Sequence, residues 1–335
     1  MSEKIGVIGA GSWGTTLANL LAKKGVDVTL WAYEPELVAE MTANRVNSLF
    51  LPGTTLSPGL RFTTSLEEAA AGKDLILLVS PSQVMRGVLQ KLAPFLKPGV
   101  TLVNASKGIE LDTLMTIDQV CAAVLPPEIA GRFCVLSGPS FAHEVAQEMP
   151  TAVVAAAADP AVAALVQRIF TTPYFRVYTN GDVVGVEIGG SLKNVIAVAA
   201  GISDGLGLGH NTRAALITRG LAEMTRLGVA MGADPATFAG LAGMGDLVLT
   251  CTGDLSRNRT VGMKLGQGMS LSSILGEMRM VAEGVKTAES AWRLAGKVGV
   301  EMPITEKVYR VLYEDKPARE AVLELMTRDL KAERW

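Results

Sequence analysis

The sequence predicts an α/β protein in which a doubly wound parallel sheet is followed by an all-α domain. Two observations support this prediction. In the first half of the chain, short apolar runs alternate with segments of helical periodicity, which is the pattern of a parallel sheet with crossover helices. After Asn180 the strand pattern stops and only helical segments follow. We therefore expect a sheet domain over residues 1–185 and a helical domain over residues 186–335.

The first predicted element is a strand over residues 5–8, which runs into the sequence G-A-G-S-W-G at 9–14 and then into a helix. In a dinucleotide-binding turn of this form, Gly9 permits the tight turn and Gly11 lets the backbone approach a pyrophosphate. Gly14 allows close packing of helix on strand, and the first-turn N–H groups face the phosphates. The order of the elements predicts a Rossmann-type domain. The alternative is a glycine-rich turn without a ligand.

The end of the second predicted strand, 28–31, bears on the choice between NAD and NADP. Glu34 stands 20 residues past Gly14, near the position where an acidic residue binds the ribose 2′-hydroxyl of NAD. Tyr33 precedes it, and no arginine stands at the strand end. Arg45 lies further along and could fold back, and Glu34 could be a solvated turn residue. The expected cofactor is therefore NAD or NADP, without a settled preference.

Three further apolar strands, 74–79, 100–104 and 133–136, each end in a loop of small and polar residues. In a doubly wound sheet such loops form the ligand crevice. Lys107 follows the second of these strands and Ser140 follows the third, so both are candidate site residues. The alternative for Lys107 is a solvated loop lysine. Two more strands, 151–157 and 174–178, are predicted to flank a helix and extend the sheet.

A long helix is predicted over residues 184–201, and it is apolar on nearly every face. A helix of this kind is buried, and a lysine within it is costly unless it is paired. Lys193 is therefore either a structural lysine in a buried ion pair or a proton donor with a lowered pKa. Gly189 and Gly190 are expected to clear space beside its ammonium. The glycine-rich run 201–209 predicts an irregular turn before a helix that starts near Asn211 or Thr212.

A candidate phosphate site lies at the start of another helix. Ser256 is a predicted N-cap, which puts Arg257 and Asn258 at the positive end of the helix dipole. Exposed backbone amides, a guanidinium and an amide side chain suit phosphate. The alternative is a surface arginine cluster without a ligand. Upstream, Asp246 is a single carboxylate in an apolar stretch that could orient a cationic partner.

Composition excludes several classes of function. The net charge is −2 and no basic run occurs, so nucleic acid is not an expected partner. No uninterrupted apolar window of about 18 residues predicts a membrane span, and the first strand leaves no room for a signal peptide. The three cysteines form no C-x-x-C pair, and an odd number suits a reducing cytosol. With His143 and His210 as the two histidines, zinc-ligand spacing is absent, so we expect a cytoplasmic enzyme without a metal.

Taken together, the motifs resemble those of the bacterial-type NAD(P)-dependent glycerol-3-phosphate dehydrogenases. They occur in family order and cover nearly the whole chain: G-A-G-S-W-G-T at 9–15, N-A-S-K-G-I-E at 104–110, S-G-P-S-F-A at 137–142, G-G-S-L-K-N-V at 189–195, G-L-G-H-N-T-R-A-A at 207–215, G-M-G-D-L at 243–247 and S-R-N-R at 256–259. Two positions depart from the family pattern. Ser191 replaces the usual alanine, and Tyr33 stands where a basic residue often supports NADP.

The resemblance implies a role for each matching residue. Lys193 matches the catalytic acid/base of the family. The positions that match substrate contacts are Lys107, Gly138, Ser140, Lys193, Asp246, Ser256, Arg257 and Asn258. Those that line the cofactor, beside Gly9, Gly11 and Gly14, are Ser12, Trp13, Tyr33, Lys107, Ala142, Arg257, Val281 and Glu283.

The implied activity is reversible reduction of dihydroxyacetone phosphate to sn-glycerol 3-phosphate, which supplies phospholipid synthesis. In the implied mechanism Arg257 and Asn258 hold the phosphate, and Asp246 orients Lys193. A homodimer is a possible assembly. Two alternatives stay open: a dehydrogenase of another substrate, such as a 3-hydroxyacid or a nucleotide-sugar, and a dinucleotide-binding sensor without catalysis. A steady-state assay with dihydroxyacetone phosphate separates all three hypotheses.

Overall fold

A computed structural model describes residues 3–278, 282–330 and 332–333. The described residues of the first half form one sheet of eight strands: β1 Lys4–Ile8, β2 Asp27–Trp31, β3 Arg61–Thr63, β4 Leu75–Leu78, β5 Thr101–Asn104, β6 Phe133–Ser137, β7 Thr151–Ala156 and β8 Phe175–Asn180. Their order across the sheet is β3-β2-β1-β4-β5-β6-β7-β8. Neighbouring strands are parallel except β6 and β7, which are antiparallel. The order reverses direction between β1 and β4, and this is the switch point at which doubly wound sheets bind ligands.

Helices cover both faces of this sheet: α1 Ser12–Lys23, α2 Pro35–Asn44, α3 Leu66–Ala70, α4 Met85–Leu92, α5 Ile117–Val124, α6 Pro127–Ala130, α7 Ala142–Ala146 and α8 Pro160–Phe170. Side chains of α1, α2, α7 and α8 share one apolar cluster with Ile5 and Val7 of β1. Those of α3 to α6 pack with Ile8 on the opposite face. The alternation along β1 is the two-residue period of a strand buried on both faces.

The second half of the described chain is helical: α9 Val183–Gly205, α10 Gly209–Ala230, α11 Pro235–Phe238, α12 Asp246–Thr252, α13 Arg257–Gly266, α14 Leu271–Glu277, α15 Glu283–Val298, α16 Pro303–Tyr313 and α17 Ala318–Met326. A π-helical turn, Leu241–Gly245, leads into α12. The last strand ends at Asn180 and α9 begins at Val183, so sheet gives way to helices there. The division between residues 185 and 186 stays a prediction.

The central element of the helical half is α9. Among the described helices it alone is long and apolar enough to cross a membrane, yet 89% of its apolar window is buried inside the fold. This burial is that of a core helix, with α10, α12, α13 and α15 packed around it. The prediction of a buried helix around Lys193 is therefore confirmed.

The irregular turn predicted over residues 201–209 exists, but it is confined to residues 206–208. Helix α9 continues to Gly205 and α10 already begins at Gly209. Gly201 and Gly205 instead face α13, where added Cβ atoms would lie 2.0 Å and 2.2 Å from the carbonyl oxygens of Arg259 and Met263. From the other side, a Cβ on Gly262 would lie 2.0 Å from the carbonyl oxygen of Val198. These glycines let the backbones of α9 and α13 touch, which no side chain would permit.

Two other elements differ from the predictions. The short strand β3 gives no alternating pattern long enough to be recognised in sequence, because it spans only Arg61–Thr63. The segment predicted as an apolar loop around Glu283 forms the first turn of α15 in its described part. Val281 lies outside the described residues.

Candidate active site

The glycine-rich turn after β1 has one crowded face and one open face. Gly9 has φ +119°, and a Cβ there would lie 2.9 Å from the Val79 carbonyl group. A Cβ on Gly14 would lie 1.9 Å from the Gly9 carbonyl oxygen, which only glycine allows. At Gly11 an added Cβ meets nothing within 4 Å among the described atoms. The N-cap residue of α1 is Gly11, which has no side chain to cap the first turn. Its N–H groups therefore suit a pyrophosphate at this open face.

A second segment, which sequence reasoning missed, holds this turn in place. Asn47 donates its amide to the carbonyl of Ala10 at 2.9 Å and to the hydroxyl of Thr15 at 2.8 Å. The Ser12 hydroxyl donates to the carbonyl of Phe50 at 2.6 Å. Asn47 is fully buried, and nothing in its sequence context distinguishes it from a surface loop asparagine. The Trp13 ring lies 6.3 Å from the ring of Phe175, and its side chain packs against the apolar cluster of the sheet domain.

The residues that follow β2 lie at the predicted adenosine end of the crevice. Tyr33 is 78% exposed, and Glu34 is the N-cap residue of α2. Arg45 does not fold back towards them. Its guanidinium donates to the carbonyls of Leu60 at 2.6 Å and Pro58 at 3.1 Å, which precede β3. Because β2 and β3 are parallel, these carbonyls and Glu34 lie at opposite strand ends.

Two lysines and one carboxylate meet where the sheet contacts α9. Lys193 Nζ donates to Asp246 Oδ1 at 2.5 Å and to the hydroxyl of Thr250 at 2.9 Å. Lys107 Nζ donates to Asp246 Oδ2 at 2.6 Å. The side chains of Lys193, Asp246 and Lys107 are 9%, 1% and 15% exposed. The two lysines that sequence analysis singled out thus share one buried carboxylate. Thr250, which it did not single out, is the further partner of Lys193.

The pKa of Lys193 is lowered to about 8, mainly because burial penalises its charged form. The carboxylate of Asp246 opposes this effect, and the positive charge of Lys107 adds to it. A pKa near 8 lets Lys193 hold and release a proton in the neutral range, as a general acid/base requires.

The glycines before Lys193 make room for protein groups. A Cβ on Gly189 would lie 2.7 Å from the carbonyl oxygen of Ala242, on the turn that leads to Asp246. A Cβ on Gly190 would lie 2.9 Å from the Ser137 hydroxyl and 3.6 Å from the Lys107 stem. The expected open space beside the ammonium is therefore filled. What the glycines permit is the close approach of the elements that carry Asp246 and Lys107.

The turn after β6 supplies two predicted substrate contacts. Gly138 has φ +139°, and its carbonyl accepts from the Ser140 hydroxyl at 3.0 Å and from Lys107 Nζ at 3.5 Å. Ala142 begins α7, and its carbonyl accepts from the hydroxyl of Thr16 on α1 at 3.2 Å. The turn thus lies against the Lys107 ammonium on one side and against the dinucleotide-binding helix on the other.

The start of α13 lies beside Lys193. Ser256 is its N-cap and accepts from the Arg259 N–H at 3.2 Å. Asn258 is buried: its Nδ2 donates to Asn194 Oδ1 at 2.8 Å and its Oδ1 accepts from the Gly284 N–H at 3.0 Å. Asn258 therefore joins α9, α13 and α15, a bridging role that the sequence did not suggest. Arg257 is exposed at the same helix start.

Glu283 connects the helical half to the sheet. The backbone of Ser82, in the loop after β4, acts on its carboxyl group and helps to lower its pKa. Burial raises the pKa of Glu283, while the charges of Arg257, Lys107 and Lys193 oppose the rise. The charges of the candidate site thus act on Glu283 in the first turn of α15, near the switch point of the sheet.

A sheet with a dinucleotide-binding turn, a helical second half and a buried lysine near the strand ends defines a two-domain NAD(P)-dependent dehydrogenase. Comparison with known proteins shows which family of dehydrogenases the chain belongs to. The family model "NAD-dependent glycerol-3-phosphate dehydrogenase N-terminus" matches residues 4–163, and the corresponding C-terminus model matches residues 182–323. The chain belongs to this family.

Relatives of the same name match over the full length. The chain is 87% identical over 334 residues to "Glycerol-3-phosphate dehydrogenase [NAD(P)+]" of Geobacter metallireducens and 84% identical over 335 residues to that of Geobacter sulfurreducens, with 100% of each chain covered. The crystal structure of glycerol-3-phosphate dehydrogenase from Coxiella burnetii superposes with a TM-score of 0.93 at 41% identity, covering 98% of this chain and 99% of that one. The activity of this chain is accordingly that of an NAD(P)-dependent glycerol-3-phosphate dehydrogenase.

Proposed function

We propose that the chain reduces dihydroxyacetone phosphate reversibly to sn-glycerol 3-phosphate, with Lys193 as the acid/base. The observation that supports this mechanism is the buried array of Lys193, Asp246 and Lys107, which adjoins the start of α13. The nicotinamide cofactor, when bound, supplies the hydride to C2 of the ketone. The positions proposed to hold it are Gly9, Gly11, Ser12, Trp13, Gly14, Tyr33, Lys107, Ala142, Arg257, Val281 and Glu283.

In this mechanism Lys193 gives its proton to the C2 oxygen as negative charge develops there, and it is left as a neutral amine. Lys107 adds positive potential at the same oxygen, which stabilises the developing alkoxide. Asp246 fixes the direction of the Lys193 ammonium through a hydrogen bond of 2.5 Å. In the reverse direction neutral Lys193 takes the proton from the alcohol. Gly138 and Ser140 line the substrate on the side of β6.

The substrate phosphate is proposed to bind at the start of α13, on Arg257 and the first-turn amides, with Ser256 and Asn258 shaping the site. Arg257→Ala is expected to raise KM for dihydroxyacetone phosphate about 10- to 100-fold, because a charge-assisted hydrogen bond to phosphate is lost. Steady-state kinetics on dihydroxyacetone phosphate and on unphosphorylated dihydroxyacetone measure this effect. An equal loss on both substrates would show that Arg257 does not read the phosphate.

The family uses both NAD and NADP, and we propose that this chain prefers NADH to NADPH. Glu34 places a carboxylate after β2, and Glu68 places another beside β3, where it accepts from the Thr63 hydroxyl at 2.5 Å. Arg45 is held by carbonyls at the other end of β3. A 2′-phosphate would therefore meet negative charge, and like charges placed together are costly.

The double variant Tyr33→Arg/Glu34→Ser is expected to raise kcat/KM for NADPH at least about tenfold and to lower it for NADH, since each tenfold step is about 1.4 kcal/mol of binding. Glu36→Ser is the matched control, because Glu36 is an exposed carboxylate in the first turn of α2, two residues after Glu34. A wild-type chain that already favours NADPH, or a double variant with an unchanged ratio, would contradict the proposed preference.

The proposal also covers the setting of the reaction: a cytoplasmic enzyme, without nucleic acid as partner, that supplies glycerol 3-phosphate for phospholipid synthesis. The net charge of −2 supports the absence of a nucleic-acid partner. Exposed apolar side chains near the chain end, Leu323, Met326 and Leu330, support a homodimer.

A further inference from the structure

The turn that carries Lys107 is held by one side chain at the end of β5. Asn104 Oδ1 accepts from the Ser106 N–H at 2.9 Å, and Asn104 Nδ2 donates to the Ser106 carbonyl at 3.2 Å. The Ser106 hydroxyl donates in turn to the Ser80 carbonyl at 2.6 Å. Both backbone groups of the residue before Lys107 are therefore fixed by Asn104, which is itself fully buried.

The orientation of Asn104 is set from the other half of the molecule. Glu187, on the second turn of α9, accepts from Asn104 Nδ2 at 3.2 Å through Oε1 and from the Asp118 N–H at 3.4 Å through Oε2. Glu187 is 6% exposed, and no ion pair to it occurs among the described residues. A buried carboxyl group without a cation is costly. Burial and the facing carboxylate of Asp118 raise its pKa.

This carboxyl group is part of the helix that carries the catalytic lysine. Glu187 and Lys193 are six residues apart on α9, about 9 Å along a helix axis at 1.5 Å per residue. Lys193 reaches Asp246 directly, while Glu187 contacts the base of the turn from which Lys107 reaches the same carboxylate. One rigid element thus sets the position of both ammonium groups.

We propose that Glu187 is a positioning residue, which acts through Asn104 to hold the Lys107 turn so that the Lys107 ammonium meets Asp246 beside Lys193. This inference rests on the proposed roles of Lys107 and Lys193. It assigns a purpose to a buried carboxyl group that touches neither lysine.

Glu187→Leu tests the inference, because leucine keeps the burial but offers no acceptor to Asn104. We expect kcat for reduction of dihydroxyacetone phosphate to fall about 10- to 100-fold, since small misplacements of a catalytic group have effects of this size. Glu187→Gln keeps an acceptor and is expected to retain kcat within about twofold, as substitutions that preserve a contact usually do.

The pH profile separates positioning from a general loss of stability. The charged or titratable groups that act on Lys193 or are acted on by it are Asp246, Lys107, Cys251 and Glu283. Lys107 lowers the pKa of Lys193, so a displaced Lys107 turn lets that pKa rise. In Glu187→Leu the alkaline loss of reductase activity is therefore expected at higher pH than in the wild type.

The matched control is Ser191→Ala on the same helix. The Ser191 hydroxyl is buried and donates to the Glu187 carbonyl at 2.8 Å, and among the described residues no hydrogen bond joins it to the Lys107 turn. Its kcat and pH profile are expected to equal those of the wild type. Asn104→Ala acts on the turn with Glu187 intact, and gives an independent test if Glu187→Leu does not fold.

A double-mutant cycle tests whether Glu187 acts through Asn104. The loss in Glu187→Leu/Asn104→Ala is expected to equal that of Asn104→Ala alone, because the two residues form one path. A folded Glu187→Leu or Asn104→Ala variant with wild-type kcat and pH profile, or losses that multiply in the double variant, would overturn the inference. Failure of the proposed function is distinct: the wild-type chain would then not turn over dihydroxyacetone phosphate.

Discussion

Lys193→Met is expected to lower kcat for reduction of dihydroxyacetone phosphate by about 10² to 10⁴, the range that general acid catalysis contributes. Methionine keeps the apolar length of the buried stem but provides no proton. Asp246 retains Lys107 as a partner in this variant, so no buried carboxylate is left without a cation. KM for the cofactor is expected to change little, which distinguishes lost proton transfer from lost binding.

The pH dependence of the wild type gives the same assignment an independent test. Reduction needs protonated Lys193, so kcat should be full below the pKa of about 8 and fall above it. Oxidation of glycerol 3-phosphate needs the neutral amine and should show the opposite dependence. Lys264→Met is the control, because Lys264 pairs with Glu277 at the other end of α13. A folded Lys193→Met enzyme with kcat near that of the wild type would remove Lys193 from the mechanism.

Asp246→Asn is expected to lower kcat for reduction at pH 8 by about 10² or more, because both the direction and the protonation of Lys193 depend on this carboxylate. Asp246 raises the pKa of Lys193 against burial and against Lys107. Without the carboxylate the two ammonium groups face each other, so the pKa of Lys193 falls and the proton is lost at lower pH. The alkaline decline of reductase activity should therefore move to lower pH.

Comparing the activity lost in the two reaction directions distinguishes this result from unfolding. Neutral Lys193 is the form that oxidation requires, so at pH 7 Asp246→Asn should impair oxidation less than reduction. Asp254→Asn is the matched control, since Asp254 is an exposed carboxylate that pairs with Arg259 near the same helix start. Equal losses in both directions, with an unshifted pH profile, would mean that Asp246 does not govern the protonation of Lys193.

Local patterns carried enough information to predict most of the fold. The turn at residues 9–14 is recognisable because its glycines serve backbone contacts within one strand–helix unit. A charged side chain in an otherwise apolar helix likewise made Lys193 conspicuous. The pairing of Lys193 with Asp246, 53 residues away, was expected only from the family resemblance. It depends on how α12 packs on α9, and no local signal encodes that packing.

The residues that hold the site in place were the harder part to predict. Asn47, Asn104 and Asn258 each join segments distant in sequence through an amide group. An asparagine near the end of a strand, in a loop or at a helix start usually faces solvent. Its bridging role therefore becomes visible only when the structure shows that the side chain is buried. The glycines at 201 and 205 were misread for a related reason: their partner is a helix more than 50 residues further along the chain.

The contact between α9 and α13 has a consequence for substrate choice. Lys193 stands on one helix and Arg257 begins the other, and the two backbones touch at Gly201, Gly205 and Gly262. In the proposed mechanism, the separation between the reacting carbonyl and the phosphate is then set by main chain against main chain. Side-chain changes elsewhere on either helix leave this spacing unaltered. If Lys193 and Arg257 act as proposed, this helix crossing fixes the length of the ketose phosphate that fits, and a change in that length would require one helix to shift as a whole.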